Sequence, residues 1–261
     1  MTISSTKNQQ IKYIKQLQAK SKLRIKDQCF VVEGVREIEM ALKFNYPLQN
    51  VFISQETYNA SHEFKDETEI ISISQSVYQH LAYRSSTEGI IALFKSKTHD
   101  LNNLNFNNKN PLIIVLESPE KPGNIGAILR TADAIGADAV IIANPLTDLY
   151  NPNTIRASLG AVFSNQIAIG NSENVIQYLI VKGINIYAAT LQNSNSFLKH
   201  DYSLPTAFAM GSEAYGLSEA WRNKREIQAV NIPMHGEIDS MNLSVSTAIL
   251  TFEAVRQRTL N

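Results

Sequence analysis

The hydrophobic residues of the second half of the chain follow two alternating patterns. The run Leu112–Leu116 is continuously apolar, as in a parallel strand that is covered on both faces. From Asn124 to Gly136, apolar residues recur every three or four positions, which is the spacing of an amphipathic helix. A second apolar run, Ala139–Ala143, follows directly. This alternation predicts a parallel α/β domain.

Weaker patterns predict the other elements of this half. Strands are expected near 163–169, 184–190, 206–210 and 227–232, and helices at 172–182 and 242–257. The last helix carries apolar residues all around it, at Val245, Ala248, Ile249, Phe252 and Val255 on one face and at Leu243 and Leu250 off it. Such a surface predicts burial on more than one side, as at a dimer interface.

The first half predicts a smaller α/β domain. A basic helix over roughly 6–26 is followed by strands at Cys29–Glu33, Val51–Ser54, Glu69–Ile73 and Gly89–Phe94. Helices are expected at Val35–Lys43, near 55–65 and at Ser74–Tyr83, where Ser74 is the predicted N-cap. The polar stretch 97–110, with six asparagines, reads as a linker. The predicted domains are therefore 1–96 and 111–261.

The formal net charge of zero conceals an asymmetry, because residues 1–26 hold seven basic residues and no acidic one. This excess predicts an RNA-binding surface formed by Lys7, Lys12, Lys15, Lys20, Lys22, Arg24 and Lys26. A solvated helix surface, with Ile11, Ile14 and Leu17 facing inward, explains the same charges equally well.

Composition narrows the class of protein further. The chain is 44% apolar and 18% charged, as in globular proteins, and it has no apolar run of the roughly 20 residues that cross a bilayer. The N-terminus lacks the apolar region of a secretory signal. The single cysteine, Cys29, predicts a buried structural thiol and suits a reducing cytoplasm. The scattered histidines show no metal-ligand spacing.

Two segments carry candidate chemistry. In NIGAILRTADAIGA, Asn124 stands at the expected N-cap and Arg130 projects away from the apolar stripe. A cap and an exposed arginine also explain these two residues without any function. The segments MGSEAYGLSEAW and VNIPMHGEIDSMNLSVSTAIL both predict a strand, a loop and a helix. Ligands of α/β sheets bind at the carboxyl ends of strands, and the G-x-G-x-x-G fingerprint of nicotinamide enzymes is absent.

In order and spacing, these three segments resemble the motifs of the SpoU/TrmH family of RNA ribose methyltransferases, over about residues 111–258. The resemblance implies a trefoil-knotted (SPOUT) α/β methyltransferase domain, preceded by a smaller L30e-like α/β domain that binds the RNA substrate. Met241 is a departure, since the family usually has leucine there. The resemblance also implies an S-adenosylmethionine cofactor and a homodimer with its site at the subunit interface.

The residues that match the family's functional positions fall into two sets. The catalytic set is Asn124, Arg130, Glu213, Ser240 and Asn242, and the cofactor-binding set is Leu191, Gly211, Ile232, Met234 and Met241. Other roles stay open at this point. Glu213 either supports Asn124 or caps a helix beginning near Leu217, Ser240 and Asn242 would also cap the last helix, and Ile232 and Met241 would also serve in core packing.

The expected function is transfer of a methyl group to a ribose 2′-hydroxyl of structured RNA in the cytoplasm. Ribosomal RNA is the first expected substrate and transfer RNA the second. Arginine is a poor base, so Arg130 is expected to clamp a phosphate and to stabilise developing alkoxide charge. The alternatives are a non-catalytic ribosome-assembly factor, which would bind no S-adenosylmethionine, and a nicotinamide dehydrogenase, which bound reduced cofactor would reveal by its absorbance.

Overall fold

The structure, a computed structural model, describes residues 2–58, 64, 68–83, 88–238 and 240–260. Its helices are α1 (Gln9–Ala19), α2 (Ser21–Asp27), α3 (Val35–Lys43), α4 (Gln75–Leu81), α5 (Pro122–Ile135), α6 (Pro152–Ser158), α7 (Ala161–Ser164), α8 (Ser172–Val181), α9 (Glu219–Arg222) and α10 (Leu243–Leu260). Its strands are β1 (Cys29–Glu33), β2 (Leu48–Ile53), β3 (Glu69–Ser72), β4 (Ile90–Lys95), β5 (Leu112–Glu117), β6 (Ala139–Ala143), β7 (Ile167–Gly170), β8 (Asn185–Ala189), β9 (Asn195–Ser196), β10 (Thr206–Met210) and β11 (Ile227–Asn231). The helix predicted near 55–65 lies largely outside the described residues.

The chain forms two compact units. Unit 1 comprises Met1–Thr98 together with Asp148–Ser164, and unit 2 comprises His99–Thr147 together with Asn165–Asn261. The sequence predicts domain limits of 1–96 and 111–261, with a linker at 97–110. These limits assign the segment Asp148–Ser164 to the second domain, whereas the structure has it in unit 1. The limits 1–96 and 111–261 stay a prediction from the sequence.

Unit 1 is built on a four-stranded sheet with the order β1-β4-β2-β3. Strand β4 pairs antiparallel with β1 and β2, whereas β2 and β3 are parallel. Helix α1 buries Ile11, Ile14 and Leu17 against this sheet. The predicted N-cap of α4 is confirmed, because the Ser74 hydroxyl accepts from the backbone N–H of Val77.

An aromatic cluster joins the segment Asp148–Ser164 to the core of unit 1. The ring of Tyr150 stacks on that of Phe30 with the centroids 4.1 Å apart. Phe163 meets Tyr46 edge-on at 4.9 Å and also stacks on Phe30 at 6.0 Å. All four side chains are at most 8% exposed, so residues far apart in sequence complete one core.

The predicted basic helix over 6–26 is wrong, because the structure has two helices there. Lys20 adopts an extended conformation between α1 and α2. Arg24 folds back and donates to the carbonyls of Leu17 and Gln18. These carbonyls lie at the end of α1 and lack helical partners. The guanidinium supplies the hydrogen-bond donors that the backbone of a continued helix would have supplied.

Unit 2 confirms the predicted parallel α/β architecture. Its seven strands have the order β7-β6-β5-β10-β8-β11-β9, and each pair is parallel. The chain runs outward from β5 through β6 to β7, whereas β8 and β11 lie on the other side of β10. The strand order therefore reverses between β5 and β10. The knot that the resemblance implies stays a prediction.

Between β6 and β7 the sequence prediction needs a correction. The strand expected at 163–169 begins only at Ile167, because residues 161–164 form α7. Leu159 and Gly160 have φ of 52° and 87° and turn the chain there. The Ser158 hydroxyl then accepts from the N–H of Val162. Phe163 is thus a helical residue of the aromatic cluster and not part of a strand.

Helix α10 has one face buried within the chain and apolar residues outside that face. Leu243, Leu250 and Ala254 are buried. Val245 and Phe252 are 47% and 52% exposed. They lie seven positions apart, on the same side of a helix. The wide apolar surface expected from the sequence therefore exists, and the residues that the structure describes leave part of it uncovered.

Candidate functional site

Loops at the carboxyl ends of three neighbouring strands enclose a cavity of about 480 Å³. They follow β8, β10 and β11, which lie side by side in the sheet. The cavity is lined by all of the residues that the sequence predicts as cofactor ligands, namely Leu191, Gly211, Ile232, Met234 and Met241. The candidate cofactor ligands are spread over about fifty positions in sequence, and the fold brings them together around a single cavity.

The loop after β10 can close on itself only because residue 211 is a glycine. A Cβ atom on Gly211 would lie 2.0 Å from the carbonyl carbon of Gly216 and 2.2 Å from the nitrogen of Leu217. Ser212 and Gly216 exchange backbone hydrogen bonds of 3.0 and 3.1 Å across the loop. Gly216 has φ of 67°, a conformation that glycine adopts without steric cost.

A polar network connects three of the predicted catalytic residues. The side-chain amide of Asn124 donates to Oε1 of Glu213 at 2.6 Å. The amide of Asn242 donates in turn to Oδ1 of Asn124 at 3.2 Å. Glu213 and Asn242 line the cavity, and Asn124 links them from α5. The three family motifs therefore meet through side-chain hydrogen bonds.

The environment of Glu213 favours its ionised form. Partial burial by itself raises the pKa of this carboxyl group. The hydrogen bond from Asn124, backbone N–H groups that include that of Glu120, and the charge of Lys121 outweigh burial and lower the pKa below its ordinary value. The carboxylate is thus held as an acceptor at neutral pH.

Two sequence predictions about helix caps meet different outcomes. Asn124 is not the N-cap of α5, because the helix begins at Pro122 with Lys121 as the cap residue. Proline at the first helical position needs no N–H partner, and the helix starts three residues earlier than an N-cap at Asn124 would place it. Asn242 does support the start of α10, since its Oδ1 accepts from the N–H of Ser244 at 2.9 Å.

Glu213 does not cap the helix that follows it. Ser218 is the N-cap residue of α9 and makes no side-chain cap bond there. Its N–H and hydroxyl instead donate to the buried carboxylate of Glu117, at 2.6 and 2.7 Å. Ser172 donates to the same carboxylate at 2.6 Å. Sequence reasoning missed Glu117, although a charged residue ending the apolar run LIIVLE was its signal.

The two remaining predicted catalytic residues lie in different places. Ser240 lines the cavity beside Met241. Arg130 is exposed on α5 and is not among the described residues that line the cavity. It stands six positions after Asn124, which is about 9 Å along a helix axis. One chain therefore gathers the candidate site without its arginine.

The basic N-terminal residues divide into an exposed set and one buried member. Lys7, Lys12, Lys15, Lys20, Lys22 and Lys26 are exposed. Arg24 is only 4% exposed and forms an ion pair with Asp148. The prediction of Arg24 as an RNA-binding residue is wrong, because its guanidinium is held by that carboxylate and by the end of α1.

The described part of the chain contains neither a candidate metal centre nor a candidate membrane span. There, no cluster of three or more His, Cys, Asp or Glu side chains is placed to hold a metal ion. Among the helices that the structure describes, none has the length and apolarity that a membrane span requires.

The single cysteine, Cys29, is buried, as predicted. Its burial is the main cause, and the charge of the nearby Asp27 the second, of a thiol pKa raised to about 11.

Comparison with known families matches both parts of the chain. Residues 111–252 match the SpoU rRNA Methylase family. Residues 8–92 match the MRM3-like substrate binding domain. The first match covers more than half of the chain, and it contains all of the predicted catalytic residues.

Individual relatives show how far the similarity extends. The chain is 27% identical to the 23S rRNA (guanosine(2553)-2′-O)-methyltransferase RlmP of Bacillus subtilis, over 96% of this chain and 97% of that protein. An AdoMet-bound rRNA methyltransferase from Sinorhizobium meliloti superimposes with a TM-score of 0.88 and 28% identity, over 98% of this chain and 97% of that one. A TrmH/SpoU tRNA modifying enzyme of A. aeolicus, 27% identical, has a TM-score of 0.51 and covers 59% of this chain and 77% of its own.

Proposed function

Because the chain belongs to the SpoU rRNA Methylase family, we propose that it transfers the methyl group of S-adenosylmethionine to a ribose 2′-hydroxyl of ribosomal RNA. One observation carries this proposal. The loops that would hold the cofactor and the polar network of Asn124, Glu213 and Asn242 form a single site.

The cavity has the chemical character that S-adenosylmethionine requires. Its volume of about 480 Å³ lies within the range of about 300–1,000 Å³ found for small-molecule sites. Ile232, Met234 and Met241 supply apolar walls for an adenine ring. Gly211 lines the cavity at a close turn that leaves no room for a Cβ atom. When bound, the cofactor supplies an electrophilic methyl group.

The residues of the chain then have to orient the acceptor. Positioning of reactants contributes roughly 7–11 kcal/mol in well-oriented reactions, so rigid side chains are needed at the acceptor side. Glu213 holds Asn124, and Asn124 holds Asn242. We assign the ribose contacts to Asn124, Ser240 and Asn242, and to Arg130 the role of a phosphate clamp that stabilises developing alkoxide charge.

The exposed position of Arg130 supports a homodimer in which each site takes this arginine from the partner subunit. The uncovered side chains Val245 and Phe252 on α10 offer an apolar surface for a second copy. A symmetric interface would then complete two equivalent sites. Mixing a variant that carries Arg130→Ala with one that carries Gly211→Ala tests this arrangement. Restored activity in the mixture supports sites that are shared between subunits. A mixture that stays inactive contradicts this arrangement.

Ribosomal RNA is favoured over transfer RNA by the extent of the matches. The RlmP relative matches almost the whole chain, including unit 1, whereas the tRNA-modifying structure covers 59% of it. We place the enzyme in the cytoplasm, where its RNA substrate is available. The nicotinamide dehydrogenase alternative is dropped, because the matching family transfers methyl groups.

The decisive experiment has a binding arm and a mapping arm. Calorimetry with S-adenosylmethionine should detect one site per chain, and ribose methylation mapped by mass spectrometry should be lost at one rRNA nucleotide in cells without the protein. A non-catalytic assembly factor would leave the methylation map unchanged. That outcome would exclude the proposed function.

Arg130→Lys separates the two chemical roles of the arginine. Lysine releases a proton more easily but cannot form a bidentate contact. We expect the variant to lose most of its methyl transfer while its affinity for S-adenosylmethionine is kept. Near-full activity with a lowered pH optimum would instead identify residue 130 as the base.

A further inference from the structure

A second cavity, of about 350 Å³, lies in unit 2 where the strand order reverses. Its walls come from the ends of β5 and β6 and from the loop after β10, at residues that include Glu120, Asn144, Leu146, Tyr215 and Arg222. We call it the switch-point crevice. Open α/β sheets usually bind ligands at this position, outside the carboxyl ends of the strands at which the order reverses. The proposed cofactor site uses the neighbouring ends of β8, β10 and β11 and leaves this position free.

The crevice and the cofactor cavity share one wall. Ser212, Tyr215, Gly216, Leu217 and Arg222 line both of them. A single loop therefore separates the two cavities. A molecule in the crevice would lie beside the methyl donor without competing for its cavity.

The surface of the crevice combines exposed apolar groups with one cation. The side chain of Tyr215 is 88% exposed, and that of Leu146 is 66% exposed. Large exposed apolar side chains gathered in one concave site mark an interaction site, and the tyrosine ring among them offers a face on which a base can stack. Arg222 is exposed, and its guanidinium donates only a long bond of 3.4 Å to Gln192 among the described residues.

The carboxylates of the crevice argue against a free anion as its occupant. Glu117 is buried and accepts from Ser172 and Ser218, and Glu120 adds a second negative charge at the wall. A nucleobase is uncharged, stacks on aromatic faces and tolerates carboxylate acceptors beside its amino groups. Arg222 would meet the phosphate that accompanies such a base.

We propose that the switch-point crevice receives a nucleobase of the RNA strand next to the methylated nucleotide, stacked on Tyr215 with Leu146 beneath it. This inference rests on the proposed function and adds to it a positioning role for two residues outside the predicted catalytic set. It also gives a role to the exposed ring of Tyr215, which lines both cavities.

The kinetic test uses the full-length enzyme and rRNA from cells that lack it. Stacking contributes enough that loss of the ring should raise KM for RNA roughly tenfold in Tyr215→Ala. The ring is kept in Tyr215→Phe, which should stay close to the wild type. Leu146→Ala should raise KM by a smaller factor. Leu198→Ala, at a leucine of similar exposure that does not line the crevice, should leave KM unchanged.

A second measurement does not depend on turnover. The chain has a single tryptophan, Trp221, which is fully buried, so Tyr215→Trp adds one exposed fluorophore to a constant background. Stacking should quench this added emission when rRNA binds, and Leu198→Trp should show no such change. Affinity for S-adenosylmethionine should be unchanged in Leu146→Ala and in both Leu198 variants, because neither leucine lines the cofactor cavity.

The outcomes separate this inference from the proposed function. Unquenched emission together with an unchanged KM in Tyr215→Ala would overturn it. A lowered affinity for S-adenosylmethionine in Leu146→Ala would place the effect of the crevice in the cofactor cavity, and a loss of the dimer in Tyr215→Ala would assign the ring to a subunit interface. Either result overturns the inference as well. Failure of the wild type to methylate RNA would refute the proposed function, whereas quenching would still support a base in the crevice.

Discussion

At the scale of single residues, the hydrogen bond between Asn124 and Glu213 is the most direct link between two sequence motifs. Hydrogen bonds to charged groups contribute about 1.5–3 kcal/mol. Glu213→Gln replaces the charged acceptor, so we expect kcat to fall by roughly 10- to 100-fold. The affinity for S-adenosylmethionine should change little. Glu219→Gln, at an exposed carboxylate of α9, is the matched control for steady-state kinetics.

The lowered pKa of Glu213 makes a separate prediction about pH. A carboxyl group whose pKa is lower in the folded than in the unfolded state stabilises the fold above its unfolded pKa. This contribution is lost as the pH falls through the folded pKa. The difference in unfolding free energy between the wild type and Glu213→Gln should thus be constant above the ordinary value of 4.5 and shrink below it. Urea titrations from pH 7 to pH 3 measure this difference, and a loss beginning near neutrality would contradict the assignment.

Gly211→Ala tests the close turn of the cofactor loop. The added methyl group would overlap Gly216 and Leu217, and the loop has to move because both contacts are with backbone atoms. Overpacking costs about 1–3 kcal/mol, so the affinity for S-adenosylmethionine should fall by roughly 5- to 150-fold. Gly236→Ala is the control, since a Cβ atom there has nothing within 4 Å. Equal affinities in calorimetry would show that the turn does not shape the cavity.

The contact of Glu213 with Asn124 was one of the two roles that the sequence left open for Glu213, whereas other local contacts in the site were not predictable. The sequence indicates Asn124 as an N-cap, because asparagine before an apolar stripe is common at helix starts. Pro122 begins the helix earlier, and this frees the Asn124 side chain for Glu213. The role of Glu117 was missed altogether, since its three hydrogen-bond donors come from residues more than fifty positions away. Such contacts depend on strand order, which local patterns do not contain.

At the scale of elements, the lysines of α1 and α2 should supply the electrostatic part of RNA binding. Each neutralised phosphate contributes about 0.7–0.9 to the slope of log affinity against log salt concentration. Changing Lys12, Lys15, Lys20 and Lys22 to glutamine should reduce that slope by up to about 3. Filter binding of rRNA between low and moderate salt measures it. Exposed lysines of unit 2, Lys182 and Lys199, provide the control variant, and an unchanged slope would refute this surface.

Most helices and strands were predictable because their apolar spacing is regular, as in α3 and β6, whose limits agree with the prediction. The exceptions have side-chain causes. The break at Lys20 has no glycine or proline to signal it, because it depends on Arg24 reaching the end of α1. Helix α7 was missed because its apolar residues resemble a strand and its turn depends on Leu159 and Gly160.

At the scale of the whole molecule, the aromatic cluster predicts that residues 1–98 are not sufficient for a stable unit 1. Tyr150 and Phe163 are buried against Phe30 and Tyr46, and loss of a buried aromatic side chain costs about 3–5 kcal/mol. A fragment of residues 1–98 joined by a flexible linker to residues 148–164 should therefore unfold with a free energy at least about 3 kcal/mol higher than residues 1–98 alone. Chemical denaturation compares the two.

The control for that comparison is the linked fragment with Tyr150→Ala and Phe163→Ala, which should lose most of the gain. Equal stability with and without the added segment would mean that the cluster contributes nothing. The division into two halves was visible in the asparagine-rich stretch 97–110. The return of residues 148–164 to the first unit could not be predicted, because no local sequence pattern indicates which core a distant aromatic ring joins.

This return has a consequence for the order of events on the ribosome. Synthesis proceeds from the N-terminus, and domains that are continuous in sequence can fold as soon as they emerge. Here the nascent chain must carry an unfinished N-terminal half through the whole of β5, α5 and β6 before Tyr150 and Phe163 appear. Translation speed across that interval therefore sets how long Phe30 and Tyr46 are open to chaperones and to aggregation.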